Sequence, residues 1–228
     1  MEASGINKTS INNEDILLID KGEIDSKVLF YTIKRLVDLI GSFLGLLFLS
    51  PLFAFVAYKI KKEEPKGPIF FSQKRIGKNG KIFKMYKFRS MCVGAEEQLS
   101  ILLEKNEIDG AMFKMKNDPR ITKIGKLIRK TSIDELPQLW NVLKGDMSLI
   151  GPRPPLIREV KLYSKYDKQR LYVKPGCSGL WQISGRNNLS FEEMVELDLK
   201  YIKNQSIIFD FKIMFKTVIV IFKDNGAF

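Results

Sequence analysis

Residues 131–154 read TSIDELPQLWNVLKGDMSLIGPRP, and the rest of the chain can be understood from this stretch outward. It predicts a helix for which two residues are possible N-caps. Ser132 can cap the helix, with Glu135 three residues later in capping-box position. Asp134 can cap it instead, because Pro137 is best tolerated in a first turn. With either start, Asp134 and Glu135 lie at the positive end of the helix dipole, which favours their ionised forms.

The apolar residues of this helix predict the face that it buries. Gly145 ends the helix, since glycine readily takes the left-handed conformation of a C-cap. The Gly-Pro-Arg-Pro sequence of residues 151–154 then predicts a stiff turn that holds Arg153. The predicted buried stripe, at helical spacing, consists of Leu136, Leu139, Trp140 and Leu143.

The Asp134-Glu135 pair has two possible roles, a helix cap or a catalytic group. At an arbitrary helix start such a pair is a simple cap. Here Arg129 precedes the pair and Arg153 follows it closely. The chain also has no histidine, so acid–base or nucleophilic chemistry must use carboxylates, lysines, tyrosines or cysteines. We therefore interpret the pair as the candidate catalytic group.

Composition limits the class of protein. The 228 residues are enough for one domain with an appendage, and a hydrophobic content of 45% excludes global disorder. The net charge of +12 indicates an anionic partner, either nucleic acid, anionic lipid or a phosphorylated substrate. No helix-turn-helix or aromatic RNA-binding motif accompanies the charge, so we expect no nucleic-acid partner. Cys92 and Cys177 are too few for a zinc site and are expected to pack as small apolar side chains.

Residues 28–62 are the predicted membrane element. From Leu36 to Tyr58 the only charge is Asp38, and this length could just span a bilayer as one helix. Ser50-Pro51 interrupts the run, and a proline inside a helix removes a backbone hydrogen bond and bends it.

Basic residues flank this element on both sides. Lys34 and Arg35 precede the apolar run, and three lysines follow it at positions 59, 61 and 62. The positive-inside rule places both such ends on the cytoplasmic side. A helix–break–helix hairpin that dips into one leaflet fits this pattern, and a single-pass anchor with a proline kink remains the alternative.

Residues 64–91 predict a β-hairpin. Residues 68–72 form one strand, Asn79-Gly80 is a strong turn signal, and residues 81–91 form the return strand with alternating apolar and basic side chains. Lys87 in that strand lies either on a solvated face or at an edge that faces phosphate.

Two further segments follow the central stretch. Residues 174–187 contain three glycines and predict a structured loop, in which Arg186 fits either a planar anion site or a structural salt bridge. Ser190, with Glu193 in capping-box position, begins a helix. Residues 207–222 are apolar with interspersed charges, which predicts an interfacial amphipathic helix; an ordinary core helix is the alternative.

Together these stretches resemble one family, the bacterial sugar transferases, which are monotopic polyprenyl-phosphate phosphoglycosyl transferases. The resemblance covers roughly residues 30–228. One departure is Leu180-Trp181, where many members carry Trp-Ala or similar, and we expect it to be tolerated. The resemblance is carried by Ser132–Pro154, by Lys34-Arg35 with Asp38, by Ser50-Pro51, by Lys-Phe-Arg-Ser-Met at 87–91, and by the Pro-Gly to Gly-Arg-Asn segment at 175–187.

The resemblance implies an α+β fold that is mostly helical, with a small β-hairpin, an N-terminal re-entrant membrane helix and interfacial amphipathic helices. It favours the re-entrant hairpin over the single span. The expected organisation is a mobile N-terminal arm over residues 1–27, the re-entrant hairpin over 28–62, and a catalytic domain over 63–228. The expected location is the cytoplasmic face of the cytoplasmic (inner) membrane.

The resemblance also implies a reaction. Sugar 1-phosphate would pass from a UDP-sugar to polyprenyl (undecaprenyl) phosphate, giving polyprenyl-diphosphate-sugar and UMP, as the first membrane step of exopolysaccharide, capsule or glycoconjugate assembly. Asp134 would be the nucleophile and a Mg²⁺ ligand, and Glu135 its partner. A membrane-anchored basic binding module without catalysis is the rival, and a homo-oligomer is allowed for. The residues expected to bind phosphate or nucleotide are Lys87, Arg129, Arg153, Gln182 and Arg186.

Overall fold

The computed structural model describes residues 18–95, 97, 98, 115, 118–185 and 189–223, with backbone only for 221–223. Within this part the chain is mostly helical and carries two small sheets, which confirms the α+β prediction at that level. The α-helices are α1 (Lys21–Ser26), α2 (Val28–Phe48), α3 (Ser50–Glu63), α4 (Lys123–Lys130), α5 (Gln138–Lys144), α6 (Ile157–Leu162), α7 (Phe191–Lys203) and α8 (Ile207–Lys223). The strands are β1 (Phe70–Ile76), β2 (Ile82–Phe88), β3 (Ser148–Ile150) and β4 (Gly176–Ser178), and short 3-10 helices cover Lys78–Gly80, Ile133–Glu135, Asp167–Tyr172 and Trp181–Ile183.

The predicted hairpin is confirmed, but its first strand covers residues 70–76 in place of 68–72, and its return strand ends at residue 88 in place of 91. β1 and β2 pair antiparallel from Phe70 opposite Phe88 to Ile76 opposite Ile82. Asn79 and Gly80 both have positive φ, of 55° and 79°, as a tight hairpin turn requires. β3 and β4, which the sequence analysis did not predict, form a short parallel pair.

The bent pair α2–α3 occupies the predicted membrane element. Pro51 lies in the first turn of α3, and Ser50 donates its hydroxyl to the carbonyl of Leu47 at 2.7 Å. The two helix axes differ by 58° at this break. In the described residues no single helix has the length and hydropathy to cross a membrane, whereas α2 and α3 taken together do.

One face of α2 binds the body of the protein through polar side chains. Arg35 donates to the carbonyls of Val142 and Leu143, at 2.6 and 2.9 Å, and so caps the C-terminal end of α5. Asp38 is buried and accepts from the hydroxyl of Ser148 at 3.0 Å.

Lys34, one turn before Asp38, is also buried, and it pairs with Asp210 of α8. Asp38 further accepts from the backbone N–H of Leu149 at 2.9 Å. The role predicted for Lys34, Arg35 and Asp38, as the flank of a membrane segment, stays a prediction. The structure adds that their bonds are made within the protein.

The main core includes one residue of the segment predicted as a mobile N-terminal arm. Ile24 of α1 is 1% exposed and packs with Leu199 and Ile213 of the C-terminal helices, whereas Leu18 is 74% exposed. The division into an arm over residues 1–27, a hairpin and a catalytic domain stays a prediction. Residues 1–17 lie outside the described part of the chain.

The central stretch corrects both predicted helix starts. Ser132 makes no capping bond and has a left-handed φ of 55°. A single 3-10 turn, Ile133–Glu135, follows it, and α5 begins only after Pro137. Gly145 ends the helix with φ of 90°, as predicted.

The predicted buried stripe of α5 is also wrong. Trp140 is 50% exposed, and Leu136, Leu139 and Leu143 are only partly buried. The buried residues are instead Gln138, Asn141 and Val142. The reason is the edge of β2: Asn141 accepts from the N–H of Tyr86 at 3.0 Å and donates to the carbonyl of Lys84 at 2.7 Å. A leucine could not satisfy these backbone groups.

Candidate active site

The carboxylate pair is held by a sharp reversal between α4 and α5. Thr122 begins α4, its hydroxyl accepting from the N–H of Gly125 at 3.0 Å, and the helix ends after Lys130. Ser132 then turns the chain through a left-handed conformation that is uncommon for a residue other than glycine. Asp134 and Glu135 follow in the 3-10 turn, against β2 and α4. Backbone strain of this kind is often found at functional sites.

Glu135 forms an ion pair with Lys87 of β2. The Lys87 Nζ to Glu135 Oε1 distance is 2.6 Å, and both side chains are partly exposed. Burial by itself would raise the pKa of Glu135, but Lys87, with Arg153 and Arg75, holds that pKa below its ordinary value. Glu135 is therefore ionised at neutral pH and engaged by a cation.

Asp134 has a different environment, although it is the neighbouring residue. Its side chain is 9% exposed, and burial, together with the charge of Glu135, raises its pKa to about 6 against the opposing effects of Lys87 and Arg129. Among the described residues no side chain donates a hydrogen bond to its carboxylate. The two carboxylates are thus differentiated: one is bonded to a lysine, and the other is bonded by no described side chain, only by its own backbone N–H, and has a pKa of about 6.

Two of the predicted arginines lie near this pair. Arg129 is largely buried at the end of α4; burial lowers its pKa, and the charges of Asp134 and Asp118 oppose that effect. Arg153 is one-third exposed, with Nη1 3.8 Å from Oε1 of Glu159. Both cations therefore act on the carboxylates through their charge, and no direct ion pair to Asp134 is formed in the described structure.

Arg75 is a site residue that the sequence analysis missed. It is 6% exposed, and it donates from Nη1 to the carbonyl of Pro154 at 3.0 Å and from Nη2 to Gln73 at 2.7 Å. Burial, assisted by the charge of Arg153, lowers its pKa to about 10, against the opposing charges of Glu159 and Glu135. A signal was available: from the turn at Asn79-Gly80, the hairpin register places Arg75 opposite the apolar residue Phe83, on an inward face.

The last two predicted binding residues are not brought to the pair by any described contact. Gln182 lies in the 3-10 turn Trp181–Ile183 and donates to the carbonyl of Cys177 at 3.4 Å. Arg186 falls outside the described residues. Their predicted roles stay predictions.

The model of the family described as bacterial sugar transferase matches residues 29–224. The chain belongs to the bacterial sugar transferase family. It is 53% identical over 195 residues to the galactosyl transferase CpsE of Streptococcus agalactiae serotype III, covering 85% of this chain and 43% of that protein. It is 45% identical over 200 residues to the undecaprenyl-phosphate galactose phosphotransferase of Salmonella typhimurium, covering 86% and 42%.

A shorter relative matches over most of its own length. The exopolysaccharide production protein ExoY of Rhizobium meliloti is 40% identical over 199 residues, covering 86% of this chain and 88% of ExoY. The chain thus spans less than half the length of CpsE and of the Salmonella phosphotransferase, and 88% of the length of ExoY.

The carboxylate pair offers the oxygen donors that Mg²⁺ takes. Mg²⁺ takes oxygen ligands, and typically one or two protein carboxylates with waters and substrate phosphates complete its coordination. Asp134 presents such a carboxylate, whereas Glu135 is already bonded to Lys87. No group of three or more potential metal-binding side chains occurs within the described residues, so a resident all-protein cage is not present there.

Proposed function

We propose that this sugar transferase moves sugar 1-phosphate from a UDP-sugar to polyprenyl phosphate, through a covalent intermediate on Asp134. An oxygen of the Asp134 carboxylate attacks the phosphorus attached to the sugar. The bond from that phosphorus to the bridging oxygen breaks, and UMP leaves with the electron pair. The phosphate of the lipid then attacks the same phosphorus, which releases Asp134 and gives polyprenyl-diphosphate-sugar.

The observation that carries this proposal is the difference between Asp134 and Glu135. A nucleophile must be ionised at working pH and must not be paired with a cation, and the Asp134 carboxylate, with a pKa of about 6 and no described side chain bonded to it, meets both requirements. Glu135 binds Lys87, with 2.6 Å between Oε1 and Nζ. The pair therefore keeps a cation close to Asp134, where the donor phosphates would bind. Arg129 and Arg153 add positive charge on the other sides, as phosphoryl transfer requires.

Mg²⁺ would be held by Asp134 and by the phosphates of the donor. When bound it would neutralise charge on those phosphates. The Lys87–Glu135 pair would orient the substrate phosphates around the reacting carboxylate.

The acceptor and the sugar are inferred from the relatives. The Salmonella protein is named for undecaprenyl phosphate and galactose, CpsE for galactosyl transfer, and ExoY for exopolysaccharide production. We infer the same lipid class for this chain, and UDP-galactose is the first donor to test. The proposed pathway role is the first membrane step of exopolysaccharide or capsule assembly.

The bent pair α2–α3 supports a monotopic location on the cytoplasmic face of the membrane. Its break at Ser50-Pro51 and its basic ends fit a re-entrant hairpin. α2 and α3 expose large apolar side chains on the face turned away from the body. They include Leu36, Ile40, Phe43, Leu47, Phe48 and Phe55.

The test uses UDP-galactose labelled in the sugar and in its phosphate, with membranes that contain the full chain. We expect label to reach the organic phase only when polyprenyl phosphate is present. Without the lipid, about one equivalent of UMP should be released per enzyme, with label retained on the protein. Release of UDP in place of UMP would indicate simple glycosyl transfer and would refute the proposal.

Substitution of the nucleophile completes the test. Asp134→Asn should lower turnover by roughly three or more orders of magnitude and abolish covalent capture of label. Glu196→Gln, at an exposed carboxylate of α7, is the matched control and should leave both unchanged. An Asp134→Asn enzyme with near-normal turnover would make direct attack of the lipid phosphate on the donor the better mechanism.

A further inference from the structure

A cavity lined by several charged residues lies beside the turn of the β-hairpin. Its volume is about 130 Å³, which is room for a few water molecules or one phosphate group. It is bounded by the inner face of α2, the turn of the β-hairpin and the segment before β4. Its lining contains none of the residues assigned to the reaction. The lining residues are Tyr31, Lys34, Arg35, Asp38, Lys78, Ser148, Val173, Lys174 and Gln205.

Lys174 is the central cation of this cavity. Its side chain is partly buried, and it forms no ion pair with the described residues. The Lys174 Nζ and the Arg35 Nη2 both approach Gly145. They would lie 3.6 and 3.3 Å from a Cβ atom at that residue, so the two cations are close to the same point. Burial lowers the pKa of Lys174, and the charges of Arg35 and Lys78 lower it further.

The other charges of the cavity do not balance this excess. Lys34 is paired with Asp210, and Lys78 has Asp25 at 3.4 Å. Arg35 is bonded to two backbone carbonyls at the C-terminal end of α5, so it faces the partial negative charge of that helix end and no carboxylate is bonded to it in the described part of the chain.

Asp38 is the only carboxylate in the cavity lining, and one of its oxygens is occupied by Ser148 and Leu149. Asp146, outside the lining, also acts on Lys174 through its charge, and it is paired with Lys144 at 3.1 Å. Arg35 and Lys174 therefore face two carboxylates that are both engaged by other groups. Charge complementarity favours an anion at this point.

We propose that this cavity is a second anion site, separate from the active site, that binds a phosphate group. The group would lie between Lys174 and Arg35, with Lys78 at the mouth. The two cations meet beside Gly145, which follows Glu135 by ten residues of 3-10 turn and α5, roughly 15 Å at about 1.5 Å per residue. One phosphate therefore cannot serve both places. The same chemistry is offered by soluble phosphate and by the headgroup of an anionic lipid, and the experiment below separates these sources.

The test measures the reactivity of individual lysines in the full-length protein. The chain, in detergent, is treated briefly with acetic anhydride, and modification of each lysine is quantified by mass spectrometry. At an inorganic phosphate concentration of roughly ten times the dissociation constant, acetylation of Lys174 should be about tenfold slower, because only the phosphate-free fraction of the protein reacts. Lys203, exposed at the end of α7, is the internal control and should be unaffected. Sodium chloride at equal ionic strength corrects for screening.

A variant and a lipid comparison complete the design. In Lys174→Gln, phosphate should no longer protect Lys78, whereas Arg153→Gln, in the active site, should leave protection of Lys174 intact. In nanodiscs without phosphate, protection of Lys174 by phosphatidylglycerol, with none in pure phosphatidylcholine, would identify a lipid headgroup as the source. If neither phosphate nor phosphatidylglycerol protects Lys174 beyond Lys203, the proposal is overturned. The readout does not depend on turnover, so the proposed reaction can fail or succeed independently.

Discussion

At the scale of single residues, the site contains a buried carboxylate whose ionised form is unfavourable. Asp134 is buried, and no described side chain bonds to it, so its ionised form costs stability at neutral pH. Glu135, one position later, avoids this cost by pairing with Lys87. Stability is often given up at reactive groups in this way, because a fully bonded carboxylate would be a poor nucleophile.

The cost can be measured as a pH-dependent stability difference. The folded-state pKa of Asp134, about 6, lies above the value of 3.8 for a free aspartate. The folded state thus retains a proton that the unfolded state has released between about pH 4 and 6, and stability falls as the pH rises through this window. Asp134→Asn removes the charge and keeps the shape. We expect it to raise the melting temperature at pH 7.5 by roughly 2 to 10 °C, corresponding to about 1 to 3 kcal/mol.

At pH 4 the gain should nearly vanish, because the wild-type carboxyl is then protonated when folded. Differential scanning calorimetry of both proteins at the two pH values tests this. An equal gain at both values would show that the effect has nothing to do with ionisation of Asp134.

Lys87 should determine the pH below which kcat/KM falls, the acidic limb of the pH–rate profile. If ionised Asp134 is the nucleophile, kcat/KM falls as the pH drops below its folded-state pKa. Lys87 lowers that pKa, so Lys87→Met should move the limb to higher pH, besides reducing the rate. Lys84→Met, on the same strand but exposed, is the matched control. The measurement is kcat/KM against pH at fixed Mg²⁺, and an unmoved limb in Lys87→Met would contradict the assignment.

At the scale of elements, the hairpin and the Gly-Pro-Arg-Pro turn form one unit. Arg75 of β1 holds the carbonyl of Pro154, and the N–H of Ile76 donates to Pro155 at 3.0 Å. The strand thus sets the position of the turn, and the turn sets the position of Arg153. Arg75 is in this sense a positioning residue.

Arg75→Lys tests this role, because lysine keeps the charge and loses the two-pronged geometry. We expect kcat/KM for the UDP-sugar to fall about tenfold, equivalent to the loss of one charged hydrogen bond. The KM for the donor should rise more than kcat falls, since Arg153 is displaced from a binding position. Lys74→Met, at the exposed neighbour, should change neither. A variant that lost only thermal stability, with an unaltered KM, would reduce Arg75 to a structural role.

At the scale of the whole molecule, the bent pair α2–α3 is bonded through α2 to the rest of the described chain. Arg35 and Asp38 bind the ends of α5 and β3, and Lys34 binds α8. The opposite face of α2 and the outer face of α8 expose apolar side chains such as Ile40 and Phe215. A rigid unit with one polar-bonded face and one apolar face suits partial immersion in a single leaflet.

This arrangement predicts that both ends of the bent pair lie on one side of the membrane. In a background with Cys92→Ser and Cys177→Ala, single cysteines at Ser26 or Lys165 should both resist an impermeant thiol reagent in intact cells. Both should react after permeabilisation. Labelling at Ser26 in intact cells, with Lys165 unlabelled, would establish a full span.

Local signals in the sequence determined much of this protein. The turn at Asn79-Gly80, the helix end at Gly145 and the Ser190–Glu193 capping box depend on neighbouring residues only, and each was confirmed. The family was also recognisable, because its motifs are contiguous stretches.

Only the tertiary structure decided which face each element buries and which charges meet. Asn141 turns inward because a distant strand edge needs its amide, and Ile24 is buried by helices about 180 residues further along the chain. The contrast between Asp134 and Glu135 arises in the same way, since Lys87 reaches one carboxylate and burial isolates the other. Such long-range partners leave no periodic trace in the sequence, because their energies depend on contacts that exist only once the chain has folded.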